Sequence, residues 1–201
     1  DGRVFCAGAD ISYMRAMAEA GRESNLADAR RLAALYGALR ECPKPVVARV
    51  HGAALGGGLG LVAASDIAVA AEDTVFGFTE ARLGILPAVI SPFVVPRIGP
   101  AAARELFLTG ARFDADRARR LGLVARTTAE AHLDREIEGL VDELLAGGPG
   151  AQAAIKRLLS RFDPASDLTE LTATLIAEAR ASAEGQEGLA AFLERRRPAW
   201  A

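Results

Sequence analysis

Three adjacent glycines, Gly56, Gly57 and Gly58, stand just ahead of an apolar, Ala-rich segment, Leu59 to Ala64. Without Cβ atoms a backbone can turn sharply and come close to another group. If a helix begins at that turn, its first N–H groups have no intrahelical partner and carry a partial positive charge. They would receive an oxygen bearing negative charge, either a phosphate or an enolate. The stretch lacks the Lys and Ser/Thr of a phosphate-binding P-loop and does not match GxGxxG. An oxyanion hole is the better chemical reading, and a plain strand-to-helix turn is the alternative. The second chemical candidate is Glu80, a carboxylate at the end of Phe76-Gly77-Phe78-Thr79-Glu80 in otherwise apolar sequence. Desolvation among Phe76, Phe78 and Leu83 would raise its pKa towards a range useful for acid/base work. With no family context, Glu80 reads as a surface turn residue. His51, just before the glycines, reads as a loop or structural histidine. His132 reads as a solvated one, and Asp66 as a structural hydrogen-bonder rather than an acid.

The elements around these residues can be read from pattern. Val46 to Val50 is a β-branched run and predicts a buried strand ahead of the turn. Ile67 to Ala70 predicts another after Asp66. Val4, Phe5 and Cys6 suggest a strand end. Ser12 to Gly21 is short and Met-containing, Arg22 to Asn25 is polar and expected to be mobile, and Leu26 to Arg40 predicts a helix from apolar positions 32, 35, 36 and 39. Cys42-Pro43-Lys44-Pro45 stops it. Ala101 to Leu108 predicts a helix closed by Gly110, and Asp114 is a candidate N-cap for the next. Leu121 to Val124 predicts a short strand, and Ala129 to Leu145 one amphipathic helix. Gly147-Gly148-Pro149-Gly150 is a breaker. Ala151 to Ser160, Leu168 to Ser182 and Gln186 to Arg196 predict three more helices.

The 201 residues suffice for a sizeable core. The chain is 51% hydrophobic and 25% charged, as a globular protein is. Its 24 basic and 26 acidic residues leave a net charge of -2, which argues against a general nucleic-acid binder. Cys6 and Cys42 have neither metal-ligand nor disulfide-framework spacing, which fits a reducing cytoplasmic location. No long apolar run free of charge suggests a membrane span, and no signal peptide is evident.

The motifs FCAGADISYM, HGAALGGGLGL, SDIAVAAEDTVFGFTEARLGILP, LTGARFDADRARRLGLV and EGLAAFLERRRPAW, in that order, resemble the crotonase (enoyl-CoA hydratase/isomerase) family. The resemblance implies an α/β fold: a ββα spiral core with the acyl-CoA site over residues 1–128, and a C-terminal helical subdomain over 129–201 for oligomerisation and coenzyme A contacts. It also implies that the N-terminal part of the fold is absent from this numbering. In the family, backbone N–H groups matching Ala9 and Gly57 hold the thioester oxygen. Ala7, Ala9, Asp10, Ile11, Gly56 and Gly57 match positions that line the bound acyl-CoA. Tyr13, Met14 and Met17 match the border of the acyl pocket. Basic residues such as Lys156, Arg157 and Arg195 to Arg197 come from the region that approaches the coenzyme phosphates.

Typical hydratases use two glutamates around one water. Here the first position is Gly60, and the second is Glu80. Catalysis is therefore expected to rest on Glu80, alone or with help from a residue the sequence does not identify, in hydration of a 2-enoyl-CoA. The alternatives are a double-bond isomerase using one glutamate and an acyl-CoA-binding protein whose catalysis decayed. Ala88 to Phe93 is similar to the methylglutaconyl-CoA hydratase-like branch, for which Arg82 and Arg97 could face a second substrate carboxylate. The resemblance implies no cofactor beyond the coenzyme A of the substrate, no metal, no nucleic acid or membrane partner, and a homotrimer or dimer of trimers.

Overall fold

The computed structural model describes residues 2–162 and 166–201, with only the backbone of Ile11. The chain opens with two helices, α1 (Ile11–Glu19) and α2 (Arg22–Glu41). Asp10 caps α1 by accepting from the Tyr13 N–H at 3.0 Å. Arg22 to Asn25, expected to be mobile, is instead the first turn of α2. A helical first turn needs no apolar residue of its own, and Asn25 Nδ2 donates back to the Ala20 carbonyl at 2.9 Å. Of the apolar stripe expected on this helix, Tyr36 is buried while Leu32 and Leu35 are exposed.

Two ββα passes come next. The first is β1 (Val47–Val50), β2 (Ala53–Leu55) and α3 (Gly57–Ala64). The second is β3 (Ile67–Ala71), β4 (Val75–Gly77), a 3-10 turn at Glu80–Leu83, and α4 (Ser91–Thr109). Parallel neighbours cannot be joined by a tight hairpin, so each pass places its two strands in different sheets. β3 lies parallel to β1, from Val47↔Ile67 to Val50↔Ala70, and β4 lies parallel to β2, from Ala53↔Val75 to Leu55↔Gly77. The chain thus winds as the expected ββα spiral. β5 (Arg112–Phe113) then adds antiparallel to β4, and β6 (Arg126–Thr128) parallel to β3, with the short α5 (Ala115–Arg120) between them. α4 is kinked at Gly99 (φ 76°), between Pro96 and Pro100.

The core of this spiral is apolar and continuous. Val50, Ala54, Leu59, Val62, Phe76, Phe78, Val94 and Leu106 are fully buried. Phe78 meets Phe107 edge-on with centroids 4.8 Å apart, and Phe76 stacks on Phe113 at 5.7 Å. Asp66 is structural, as expected: its Oδ2 accepts from the Val46 N–H at 2.7 Å while its own N–H donates to the Val46 carbonyl at 2.9 Å. Gly110 closes α4 in the left-handed region (φ 58°), and Asp114 caps α5 by accepting from the Arg117 N–H at 2.7 Å. Leu121 to Val124 is not a strand. Leu123 and Val124 are buried in the core as a loop, and the strand begins two residues later. Burial from a loop leaves the same apolar signature as burial from a short strand.

Ala129 to Leu145 divides into a 3-10 turn, Glu130–His132, and α6 (Leu133–Leu145). α7 (Pro149–Ser160), α8 (Thr169–Ala181) and α9 (Ala183–Leu193) complete the helical part. The breaker residue Pro149 occupies the first turn of α7, where a missing N–H costs nothing. Two compact units result. One is Asp1–Cys42 with Val46–Ile137, and the other is Pro43–Pro45 with Glu138–Ala201. In the second, the Glu184 carboxylate accepts from the Gly150 and Ala151 N–H groups at 2.8 and 2.7 Å, satisfying the open donors that start α7. Among the described residues no helix is long and apolar enough to cross a membrane.

Arg97, a candidate for facing substrate, does other work. Its Nη2 donates to the Ser65 and Asp66 carbonyls just past the C-terminus of α3, the opposite end from Gly57. Arg97→Ala removes the guanidinium from both acceptors. It is expected to lower stability by about 1–3 kcal/mol in urea unfolding.

Candidate active site

The glycine turn is held from two sides. Gly56 (φ 51°) ends β2, and its N–H donates to the Gly77 carbonyl at the end of β4, 2.9 Å away. On the other side lies Cys6, whose N–H donates to the Ala53 carbonyl at 3.0 Å and whose carbonyl accepts from Leu55 at 2.9 Å. Cys6 thereby pairs in parallel with Ala54 as a one-residue extension of the β2 sheet. The packing is close enough that a Cβ at Gly58 would sit 2.8 Å from the Cys6 Cβ. Three residues beyond Cys6 comes Ala9. Among the described residues, the N–H groups of Ala9, Gly57 and Gly58 meet no hydrogen-bond acceptor. Those of Gly57 and Gly58 open α3, so the positive end of the helix lies at the turn.

Glu80 stands beside the same turn. A Cβ on Gly56 would lie 3.4 Å from Glu80 Oε1. The other carboxyl oxygen, Oε2, is buried and has no hydrogen-bond partner among the described residues. Burial pushes the Glu80 pKa above the ordinary carboxylate range, partly offset by the bond to its own backbone N–H. At the end of the 3-10 turn and just beyond it, Leu83, Ile85 and Leu86 expose their apolar side chains.

The third wall was not foreseen from sequence. Tyr36, only 2% exposed, donates its hydroxyl to the Gly57 carbonyl at 2.8 Å and packs its ring 5.7 Å from that of Phe93. Burial pushes its pKa up to about 12, with charge on Cys6 and Glu80 adding to the effect. The sequence pattern counted Tyr36 as one more apolar helix position. The usable signal was the hydroxyl, because a buried Tyr needs a partner for it. Tyr36 also explains Gly60. A Cβ there would lie 2.4 Å from Ile90 Cγ2 and 2.7 Å from Tyr36 Cε1. Side chains fill the place where the two-glutamate pattern puts its first carboxylate.

Ala7, Ala9 and Asp10 are exposed, and the Asp10 carboxylate is engaged as the α1 cap. Ile11 begins α1, and its side chain lies outside the described residues. Tyr13 and Met14 are exposed on α1. His51 is structural, with Nε2 3.0 Å from the Gly2 carbonyl and Nδ1 3.3 Å from Arg49 Nη1. The Arg82 stem runs against Gly110. In the helical unit, Arg196 is paired with Glu187 through both Nη atoms at 2.6 and 2.8 Å and with Glu194 at 2.7 Å.

A family model for enoyl-CoA hydratase/isomerase matches residues 1–201. A crystal structure of an enoyl-CoA hydratase from Shewanella pealeana superposes with a TM-score of 0.95 at 44% identity, covering 100% of this chain and 76% of that one. An enoyl-CoA hydratase structure from Mycobacterium smegmatis gives 0.90 at 37% identity, covering 100% and 78%. Among curated sequences, the mitochondrial enoyl-CoA hydratase domain-containing protein 2 of Bos taurus is 36% identical over 203 residues, 97% of this chain and 67% of its own length.

The packing and charge of this site lead to two expected outcomes. Glu80 binds its proton more tightly in the folded chain than in the unfolded one. The fold is therefore fully stable below the ordinary glutamate pKa and loses stability as pH rises towards the raised folded value. Glu80→Gln is expected to melt above the wild type near neutral pH, with the gap closing as pH falls below the usual carboxylate range. Restoring a carboxylate by Gly60→Glu is expected to overpack the wall formed by Tyr36 and Ile90. It should cost at least about 1–3 kcal/mol in denaturant unfolding and raise no activity.

Proposed function

Since this chain belongs to the enoyl-CoA hydratase/isomerase family, we propose that it is a hydro-lyase adding water across the double bond of a 2-enoyl-CoA, with Glu80 as its acid/base group. The observation that carries the reading is the Glu80 carboxyl, with one buried oxygen unpartnered among the described residues, set beside a turn whose N–H groups are open. The thioester oxygen is held by the N–H groups of Ala9 and Gly57. Glu80 takes a proton from water as the water oxygen bonds to the β-carbon. The π electrons move onto the thioester oxygen as an enolate, and Glu80 returns the proton to the α-carbon. The product is a 3-hydroxyacyl-CoA. Losing one oxyanion donor costs about 3–4 kcal/mol of barrier in comparable sites, and donors fixed by the fold need no reorganisation as charge develops. Ala7 to Ile11 and Gly56 give the coenzyme a main-chain surface of small residues. Ala88 to Phe93 extends the proposal to a branched glutaconyl-type acyl group, which mass spectrometry on a panel of acyl-CoA esters checks directly.

Isomerisation is the second reading, favoured by the filled space at Gly60. One carboxyl suffices to move a proton from one carbon of the acyl chain to another. Heavy-oxygen water separates the two: hydration labels the product hydroxyl, whereas an unlabelled product with a shifted double bond refutes it. Glu80→Gln is expected to slow either reaction by about 10²–10⁴ with little change in ester binding. Binding without turnover in both proteins is the signature of a decayed enzyme.

We also propose a homotrimer or a dimer of trimers, assembled in part through the helical unit, which contributes basic residues towards the coenzyme phosphates. Phe192 and Leu193, adjacent at the end of α9, are 81% and 79% exposed, apolar surface that a neighbouring subunit could cover. Free Cys6 and Cys42 suit a cytoplasmic setting. Light scattering at micromolar concentration is expected to give a trimer or hexamer mass, and a monomer overturns the assembly.

A further inference from the structure

We propose that Tyr36 is a positioning residue for the oxyanion turn, acting through Gly57 rather than on the substrate; this rests on the reading of Gly57 as a thioester-oxygen donor. Gly57 lacks a side chain to restrict its dihedrals, yet a hydrogen bond to a developing oxyanion depends steeply on the direction of the N–H. Gly56 is already tied on its N-terminal side through its N–H to the Gly77 carbonyl. The Tyr36 hydroxyl ties the other side, donating to the Gly57 carbonyl at 2.8 Å. The peptide that carries the Gly57 N–H is itself tied through the Gly56 carbonyl, which accepts from the Leu59 N–H at 2.9 Å, so with the peptides before and after Gly57 both anchored its N–H is held in one direction. The same hydroxyl lies 3.1 Å from the place a Gly57 Cβ would take, so a side chain there would press on the residue that orients the turn.

The donor role is unambiguous. Gly57 O is a carbonyl and can only accept, so the phenolic proton must point to it. The phenol keeps that proton throughout the working range of pH. The bond also draws electron density towards the Gly57 carbonyl, and so strengthens the Gly58 N–H of the same peptide as a donor. Tyr36 itself is buried, its ring packed on Phe93 and so close to Gly60 that a Cβ there would meet it at 2.7 Å.

Tyr36→Phe keeps the ring that fills the space beside Gly60 and deletes only the donor. The readout is para-(dimethylamino)cinnamoyl-CoA, a conjugated 2-enoyl thioester whose absorption moves to longer wavelength when its carbonyl oxygen is polarised by hydrogen bonds. The wild type and Glu80→Gln are expected to shift the bound chromophore to the red. Tyr36→Phe is expected to bind it with similar affinity, lose most of the shift, and show kcat lower by about 10–100-fold with KM little changed. The band position is read on bound chromophore, so partial unfolding of the variant reduces the amplitude and not the shift. A full red shift in Tyr36→Phe overturns the positioning role, whether or not kcat falls. A wild type that binds the chromophore without a red shift overturns the oxyanion reading of Gly57 and this inference together.

Discussion

The pairing of β2 with β4 is the constraint on which the site depends. These strands run parallel and end level, Leu55 opposite Gly77, with the Gly56 N–H closing the ladder onto the Gly77 carbonyl at 2.9 Å. Parallel strands deliver the segments at their C-terminal ends to the same edge. From β2 the chain passes into the glycine turn and the N-terminus of α3, and from β4 it runs on to Glu80. The two halves of the proposed site, the glycine turn and Glu80, are thus two exits from one piece of sheet, and Cys6 extends that sheet by one residue on the other side of the turn. Neither half needs a long loop to find the other.

Much of this was legible because the information was local. Three glycines before an apolar run mark a turn that a helix leaves. Asp114 and Gly110 mark helix ends, and Asp66 was recognisable as a structural hydrogen-bonder. Each of these acts within a few residues or on the strand beside it. Tyr36 was not legible, because its partner is Gly57, 21 residues away, and a helical stripe records only that a position is apolar. The filled space at Gly60 was invisible for the same reason: it is made by side chains from α2 and from Ile90. The sequence showed that a glutamate was missing but not that a tyrosine and an isoleucine stood in its place. The error at Leu121 to Val124 had a different cause. Buried loops and short buried strands have the same composition, and only the hydrogen-bond partners tell them apart.

A site with one carboxyl places a demand on that group that a two-carboxyl site avoids. If Glu80 acts alone, as proposed, it must be able to hold a proton and to give it up within one cycle. Partial desolvation serves this by making its charged form less comfortable than that of a surface glutamate. The absence of a protein partner on Oε2 among the described residues works the same way, since a fixed donor there would hold the group ionised. On the proposed reading the open N–H groups of the turn would meet charge on the substrate rather than on Glu80, so the anion would be stabilised without making the base weaker.

The packing against Gly60 also bears on how such a protein can change over generations. A second carboxylate at that position requires space now held by Tyr36 and Ile90. Introducing the acid first crowds the core. Shrinking Tyr36 first opens a cavity, a truncation that costs about 3–5 kcal/mol for a large aromatic, and releases the Gly57 carbonyl. Each single step costs stability, although a coordinated set could restore a packed site. The one-acid and two-acid forms of this turn are therefore separated by a valley. Neutral drift at one position does not cross it, and lineages carrying this tyrosine are expected to keep it together with the glycine it faces.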